Sequence, residues 1–275
     1  LAQPLFRLMK EGPEGDLVLT ENAQPALMAV SMAVMRVLEQ EGGFDLAANA
    51  RYVAGHSLGE YSALAAAGAI ELADTARLLK RRGLAMQRAV PVGEGAMAAI
   101  LGLSLQDAAE VAEAAAQGEI CRAANDNADG QVVISGSAGA IDRAVDIAKE
   151  KGAKKSMRLQ VSAPFHCPLM QPAADEMAEA LGDVRIVAPK VPLVANVTAS
   201  AVDDPERIRA LLVQQVTSMV RWRESVLFMR DNDVTELAEI GAGKVLATMT
   251  RRIDRAVSAK AINSPDDIEA FLGAI

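Results

Sequence analysis

Ser57 is the side chain best placed for covalent chemistry. It stands in Ala54-Gly55-His56-Ser57-Leu58-Gly59-Glu60-Tyr61, which fits G-x-S-x-G at Gly55, Ser57 and Gly59. An apolar run, Tyr52-Val53-Ala54, comes before it, and an alanine-rich run from Ser62 to Gly68 comes after. Strand, turn and helix in that order are what a nucleophile elbow requires. Glycines on either side let the backbone turn without Cβ clashes. A helix starting at the serine would point its N-terminal N–H groups and positive dipole end at an oxyanion formed there. The plainer reading is a glycine-rich turn with an incidental serine. The strand before it and the helix after it favour the nucleophile.

A serine nucleophile needs a base, and the chain has two histidines. His56 adjoins Ser57, and neighbours along such a turn point in different directions. His166 lies in Ala163-Pro164-Phe165-His166-Cys167-Pro168 and is the favoured general base. No Asp or Glu occupies a motif that marks it as a triad acid, so a backbone carbonyl could orient the imidazole instead. Arg82 follows on the helix after the elbow helix. A guanidinium suits a carboxylate because it offers a planar, permanently charged fork. Lys80 and Arg81 beside it fit a solvated basic helix face equally well. Cys167 reads as a small apolar filler. Gly241-Ala242-Gly243-Lys244-Val245 lacks phosphate-loop spacing and reads as a strand-to-helix turn.

The elements that position these residues alternate. A short helical segment spans residues 4–10. Thr20 is a candidate N-cap for a long helix to about Gln40, ended by Gly42-Gly43. Its methionines, Met28, Met32 and Met35, are core filler. After the elbow helix comes a helix from Leu72 to Val90. Strands are expected at 96–103, 120–124, 131–136 and 155–161. Helices are expected at 105–117 and 138–151, with Gly152 as the C-cap. Asn125 to Gly130 reads as a turn. That order, βαββαβ, is the ferredoxin-like motif. Beyond it, helices at 168–181, 205–216, 220–232 and 245–253 alternate with strands at 191–197 and 234–240. Alternation of this kind implies an α/β fold, a parallel sheet with helices on both faces. The expected organisation is a large unit, 1–92 and 163–275, interrupted by a small ferredoxin-like unit, 93–162.

Composition narrows the function. The 275 residues are 51% hydrophobic and 3% aromatic, with a net charge of −8. An acidic balance argues against a general nucleic-acid binder. No apolar run is long enough to span a bilayer, and no signal peptide is visible, so no membrane association is expected. Two cysteines, Cys121 and Cys167, are too few for a disulfide framework or a typical zinc site. A reducing cytoplasm and no metal are the expectation.

Taken together, Gly55 to Tyr61, Arg82-Gly83 and Pro164-Phe165-His166-Cys167-Pro168-Leu169-Met170 resemble the malonyl-CoA:acyl carrier protein transacylase family. Thr20 to Ala26, Asn125 to Gly136 and Glu239 to Lys244 resemble its pattern too, so the resemblance covers nearly the whole chain. It implies an α/β-hydrolase-like acyltransferase core. It implies that Ser57 carries the malonyl ester and that His166 is the base, oriented by the main-chain carbonyl of Gln215. It further implies that Arg82 pairs with the malonate carboxylate and that the Leu58 N–H is an oxyanion donor. Gln24, Met86 and Asn127 are implied for the pocket wall, and Phe165 would crowd a branched C2 substituent. The implied substrates are malonyl-CoA and acyl carrier protein, in fatty-acid biosynthesis, with no further cofactor and a monomer as the default. Carrier proteins of this kind are acidic, so Arg221, Arg223, Arg251 and Arg252 are candidates for a docking patch, against a scattered solvated surface.

The family opens with a strand and a Phe-Pro-Gly-Gln-Gly-type loop whose Gln supplies a second oxyanion N–H. The sequence here begins at Leu1, where the family's first long loop or helix would be. The natural protein is expected to carry that segment. One missing oxyanion donor costs on the order of 10²–10³ in rate, so a chain starting at Leu1 is expected to be weakly active or inactive, and less stable. Two rivals share the motifs. An α/β-hydrolase-type esterase would use Ser57 and His166 but gives Arg82 no purpose. A catalytically impaired module would dock carrier protein without labelling Ser57.

Overall fold

The computed structural model describes residues 1 and 3–274. Helices α1 (Leu5–Glu11) and α2 (Glu14–Leu17) lead into α3 (Thr20–Gln40). α3 buries Gln24, Met28, Met32, Met35 and Leu38 along one side, while Leu27 and Arg36 face solvent, so it is amphipathic rather than enclosed. Thr20 does not cap it. Leu19 is the N-cap, and the Thr20 hydroxyl inside the first turn accepts Gln24 Nε2 at 2.8 Å. A short α4 (Leu46–Asn49) precedes β1 (Val53–Ala54), α5 (Gly59–Ala66) and α6 (Leu72–Arg88). α6 buries Thr75, Leu78, Leu79, Arg82, Gly83 and Met86. Arg82 therefore lies on the apolar stripe, three and four positions from its neighbours, and Arg81 points outward to Glu176. A Cβ on Gly83 would sit 2.5 Å from Glu21 Cα, so only glycine lets α6 press against the start of α3.

The chain then builds β2 (Gly95–Leu101), α7 (Leu105–Ala116), β3 (Cys121–Ala128), β4 (Gln131–Ser137), α8 (Ala138–Glu150) and β5 (Lys155–Arg158). They form one four-stranded antiparallel sheet in the order β3-β4-β2-β5. Both helices pack on it around Ile100, Val111, Ile134 and Ile141. The expected turn at Asn125 to Gly130 is mostly strand. β3 continues through Asn125, Asp126 and Asn127 with two register shifts, and only Asp129-Gly130 turns. These polar residues can stay in a strand because elements outside this sheet supply their partners. Asp126 N–H donates to Val220 O at 2.9 Å, Val220 N–H donates to Ala124 O at 2.9 Å, and Asp126 accepts Arg223 Nε at 2.9 Å.

After a 3₁₀ turn at Pro168–Met170 come α9 (Gln171–Gly182), β6 (Leu193–Ala195), β7 (Ser200–Val202), α10 (Pro205–Gln215), α11 (Trp222–Asp231), β8 (Glu236–Ile240), α12 (Val245–Ile253), β9 (Ser258–Ile262) and α13 (Pro265–Leu272). β1 pairs in parallel with β6, and β8 pairs in parallel with β9. The parallel α/β reading holds for these pairs, with helices packed around them. β7 runs antiparallel to β6. β7, β9 and α13 carry short or mixed patterns that periodicity alone leaves unread. The main core joins Leu38, Leu64, Leu79, Met177, Leu181 and Leu211 from α3, α5, α6, α9 and α10, with Ile70 from the α5–α6 connection.

Candidate active site

Ser57 sits between β1 and α5 with φ at 54°, in the left-handed region. That conformation costs roughly 1–2 kcal/mol for a residue with a Cβ. Two buried side chains hold it there. Asn196, at the end of β6, accepts the Ser57 N–H at 2.8 Å and donates to Gly55 O at 2.8 Å. Gln215, at the end of α10, donates Nε2 to Ser57 O at 3.0 Å. The flanking glycines do different work. A Cβ on Gly55 would lie 2.0 Å from the Gly59 carbonyl carbon, whereas one on Gly59 would meet open space. Steric need thus rests on Gly55 alone. The helix begins at Gly59 rather than at the serine, with Leu58 as its N-cap.

His166 lies within hydrogen-bond reach of Ser57. Ser57 Oγ lies 2.8 Å from His166 Nε2, and His166 Nδ1 lies 2.9 Å from the Gln215 main-chain oxygen. A neutral imidazole bonded this way donates from Nδ1 and accepts at Nε2, the tautomer a base needs. His56 turns away from the serine. Its Nε2 pairs with Asn127 Oδ1 at 2.9 Å, and its ring packs on Trp222 at 5.8 Å between centroids.

Arg82 is 1% exposed and points at Ser57. Nη2 donates to Ser57 Oγ at 3.1 Å and to Gln215 Oε1 at 2.8 Å, and Nη1 donates to Gln24 Oε1 at 2.8 Å. Its partners are all neutral, and among the described residues no carboxylate pairs with it. The Tyr61 ring lies 5.6 Å from Cζ. Gln24 Nε2 donates to Met86 Sδ at 3.7 Å. The Ser57 N–H is occupied by Asn196, while the Leu58 N–H has no hydrogen-bond partner among the described residues and is free for an oxyanion. Phe165 packs where the main core meets the small cluster of Met97, Ala124 and Val133. Ser57, His166, Arg82, Gln215 and Gln24 thus form one bonded cluster. Met86 touches it through Gln24, and Asn127 pairs with His56, outside this cluster.

Sequence reasoning passed over Asn196 and Glu60. Glu60 is 1% exposed, and burial pushes its carboxyl up to about 7 against the pull of Asn196, Gln215 and Arg82. The available signal was position. Asn196 ends an apolar strand at its carboxyl end, where α/β sheets place ligands. The candidate docking arginines divide. Arg221 pairs with Glu224 and Arg223 with Asp126, whereas among the described residues Arg252 meets only Gln131 and Arg251 only Ala259 O. No cluster of metal-ligating side chains occurs among the described residues, and no helix among them is long and apolar enough to cross a membrane. Both cysteines are buried and free.

His166 carries a testable pH signature. Burial, and next the Arg82 guanidinium, push its imidazole down from 6.5 to about 3. The unfolded chain takes up this proton near 6.5 and the folded chain only near 3. Between those values the folded state binds fewer protons, so this contribution is complete above pH 6.5 and is lost as pH falls. Glu60 works in the opposite sense in any His166 variant as well. His166→Asn is therefore expected to lose less stability than the wild type between pH 7 and pH 5, read as the shift in urea midpoint at each pH.

The acyl transferase domain pattern matches residues 4–264. This chain belongs to the acyl transferase family. The acyltransferase is 44% identical over 272 residues to the malonyl CoA-acyl carrier protein transacylase of Escherichia coli K12, covering 99% of this chain and 87% of that protein. The same-named protein of Bacillus subtilis is 41% identical over 270 residues, covering 98% and 84%. The crystal structure of an acyl-carrier-protein S-malonyltransferase from Bartonella henselae superposes with a TM-score of 0.97 at 54% identity, covering 99% of this chain and 87% of that one. A malonyl-transacylase solved in complex with its type II PKS acyl-carrier protein gives 0.95 at 42% identity, covering 98% and 86%.

Proposed function

We propose that this acyltransferase moves a malonyl group from malonyl-CoA to the phosphopantetheine thiol of an acyl carrier protein, in fatty-acid biosynthesis. The observation that carries the reading is the Arg82 guanidinium, buried beside Ser57 Oγ with neutral partners only. A buried cation left without a carboxylate is costly. The free carboxylate of a malonyl group supplies that partner and places the thioester carbonyl over the serine. An esterase acting on uncharged acyl groups gives this arginine nothing to bind.

The steps follow from the geometry. His166 Nε2 takes the Ser57 proton as Oγ attacks the thioester carbonyl, and the Leu58 N–H faces the developing oxyanion. The Gln215 carbonyl stabilises the resulting imidazolium through Nδ1. Collapse breaks the carbon–sulfur bond. The coenzyme A thiolate leaves with the proton from His166, and a malonyl ester remains on Ser57. The carrier thiol then gives its proton to His166 and attacks the ester, reversing the sequence. Thioester and ester exchange is nearly balanced, so the transfer depends on keeping water out of the cleft. These steps draw on side chains and backbone alone. Gln24 and Met86 brace the arginine, and Phe165 is placed to favour malonyl over C2-branched groups. A large unit of 1–92 and 163–275 and a small unit of 93–162 would meet at this cleft. Two buried, free cysteines suit a reducing cytoplasm.

Intact mass after mixing with malonyl-CoA tests the reading. A malonyl-sized adduct that passes to carrier protein is the expected result. If Ser57 is not labelled while carrier protein still binds, the docking-module reading replaces this one.

A further inference from the structure

Glu60 has no part in the steps above, yet it is among the most buried charged side chains of the molecule. Its two oxygens meet two different donors. Oε1 accepts the Asn196 main-chain N–H at 2.7 Å, and Oε2 accepts Gln215 Nε2. The same Gln215 nitrogen donates to Ser57 O at 3.0 Å, and the Gln215 oxygen accepts Arg82 Nη2 at 2.8 Å.

An amide has one donating end and one accepting end. Glu60 Oε2 and Ser57 O, with Asn196 Oδ1 farther off at 3.5 Å, hold the nitrogen of Gln215, which leaves its oxygen facing Arg82. Turned over, the amide would set its N–H groups against the guanidinium and its oxygen against a carboxylate and a carbonyl. Buried mismatches of that kind are expensive. Glu60 also stays one amide away from Arg82, so it does not occupy the face that meets Ser57 Oγ. We propose that Glu60 is a positioning residue for acyl selection: by holding the Gln215 amide in one sense, it aims the Arg82 fork at the free carboxylate of the acyl group. This rests on the malonyl reading above.

The test compares two reactions of the full chain. Malonyl transfer to carrier protein uses Arg82. The acylation burst with 4-nitrophenyl acetate uses Ser57 and His166 but offers no carboxylate. In Glu60→Gln one acceptor replaces two, so either Asn196 N–H loses its partner or Gln215 turns. Malonyl kcat/KM is expected to fall about 30-fold while the burst rate stays within about threefold. In a Gln215→Met background, Glu60→Gln is expected to leave the ratio of the two rates unchanged, because the amide it acts through is gone. Equal loss of both reactions in Glu60→Gln would reduce Glu60 to a structural role and overturn the inference. Should that variant fail to fold, Glu60→Asp carries the same readout. It keeps both oxygens but withdraws them by one methylene, and an unchanged ratio there overturns the inference too. A wild type that accepts malonyl and acetyl groups alike overturns the malonyl reading and this inference together. A selective wild type beside unchanged variants overturns only the inference.

Discussion

Replacing Ser57 by alanine is expected to abolish the malonyl-sized adduct and to lower transfer to carrier protein by at least about 10⁴-fold, the scale seen when a serine nucleophile is removed. The reason is local. Among the described residues, Oγ is the one hydroxyl hydrogen-bonded both to His166 Nε2, at 2.8 Å, and to the Arg82 fork, at 3.1 Å, so no neighbouring hydroxyl takes its place. Ser62, five residues on, is on the elbow helix and outside this cluster. The fold should survive, because the backbone N–H and C=O of residue 57 keep Asn196 and Gln215 as partners. A melting temperature close to the wild type, with no adduct by intact mass, is the expected pair of results. An adduct persisting in Ser57→Ala would move the nucleophile elsewhere and undo the proposed mechanism.

Arg82→Ala is expected to have the second-largest effect, and a more selective one. Losing one partner of a buried, hydrogen-bonded charge pair costs about 2–5 kcal/mol, so malonyl kcat/KM should fall by roughly 30- to 4,000-fold. Acylation by uncharged acyl groups should fall far less, and hydrolysis of the acyl-enzyme should rise relative to transfer as water enters the space left by the guanidinium. Part of the cost falls on the resting protein, because Gln24 Oε1 and Gln215 Oε1 each lose a donor. Thermal stability should therefore drop as well. Competition between malonyl-CoA and acetyl-CoA, read by intact mass, separates the two contributions. If Arg82→Ala transfers malonyl groups as well as the wild type does, the arginine has no role in acyl recognition.

The legible part of the site was the part coded by local pattern. Gly55 and Ser57 stand out because a sharp strand-to-helix turn tolerates few residues at those positions. The same holds for the small sheet, whose order could be read from alternating apolar runs and caps. Arg82 was half legible. Its charge matched Lys80 and Arg81, but its spacing from Leu78, Leu79 and Met86 already placed it on the buried stripe of α6. Asn125 to Asn127 misled, because turn-forming residues became strand once Val220, Arg223 and His56 supplied their hydrogen bonds. Glu60 and Asn196 were passed over, since a lone acid on a helix and a lone amide at a strand end look like solvated surface.

By itself, the sequence pointed to Ser57, its turn, the alternation of elements and the short list of candidate bases. Which partners meet was decided only by tertiary structure. His166 reaches Ser57 across 109 positions, Gln24 reaches Arg82 across 58, and Gln215 reaches Arg82 across 133. No local propensity encodes those meetings. They follow from α6 closing on α3 where Gly83 leaves room, and from β6 pairing with β1 so that Asn196 grips the elbow. Burial then gives the cluster its chemistry. Away from water, an imidazole stays neutral, a guanidinium is left in want of a carboxylate, and a glutamate can hold an amide in one sense.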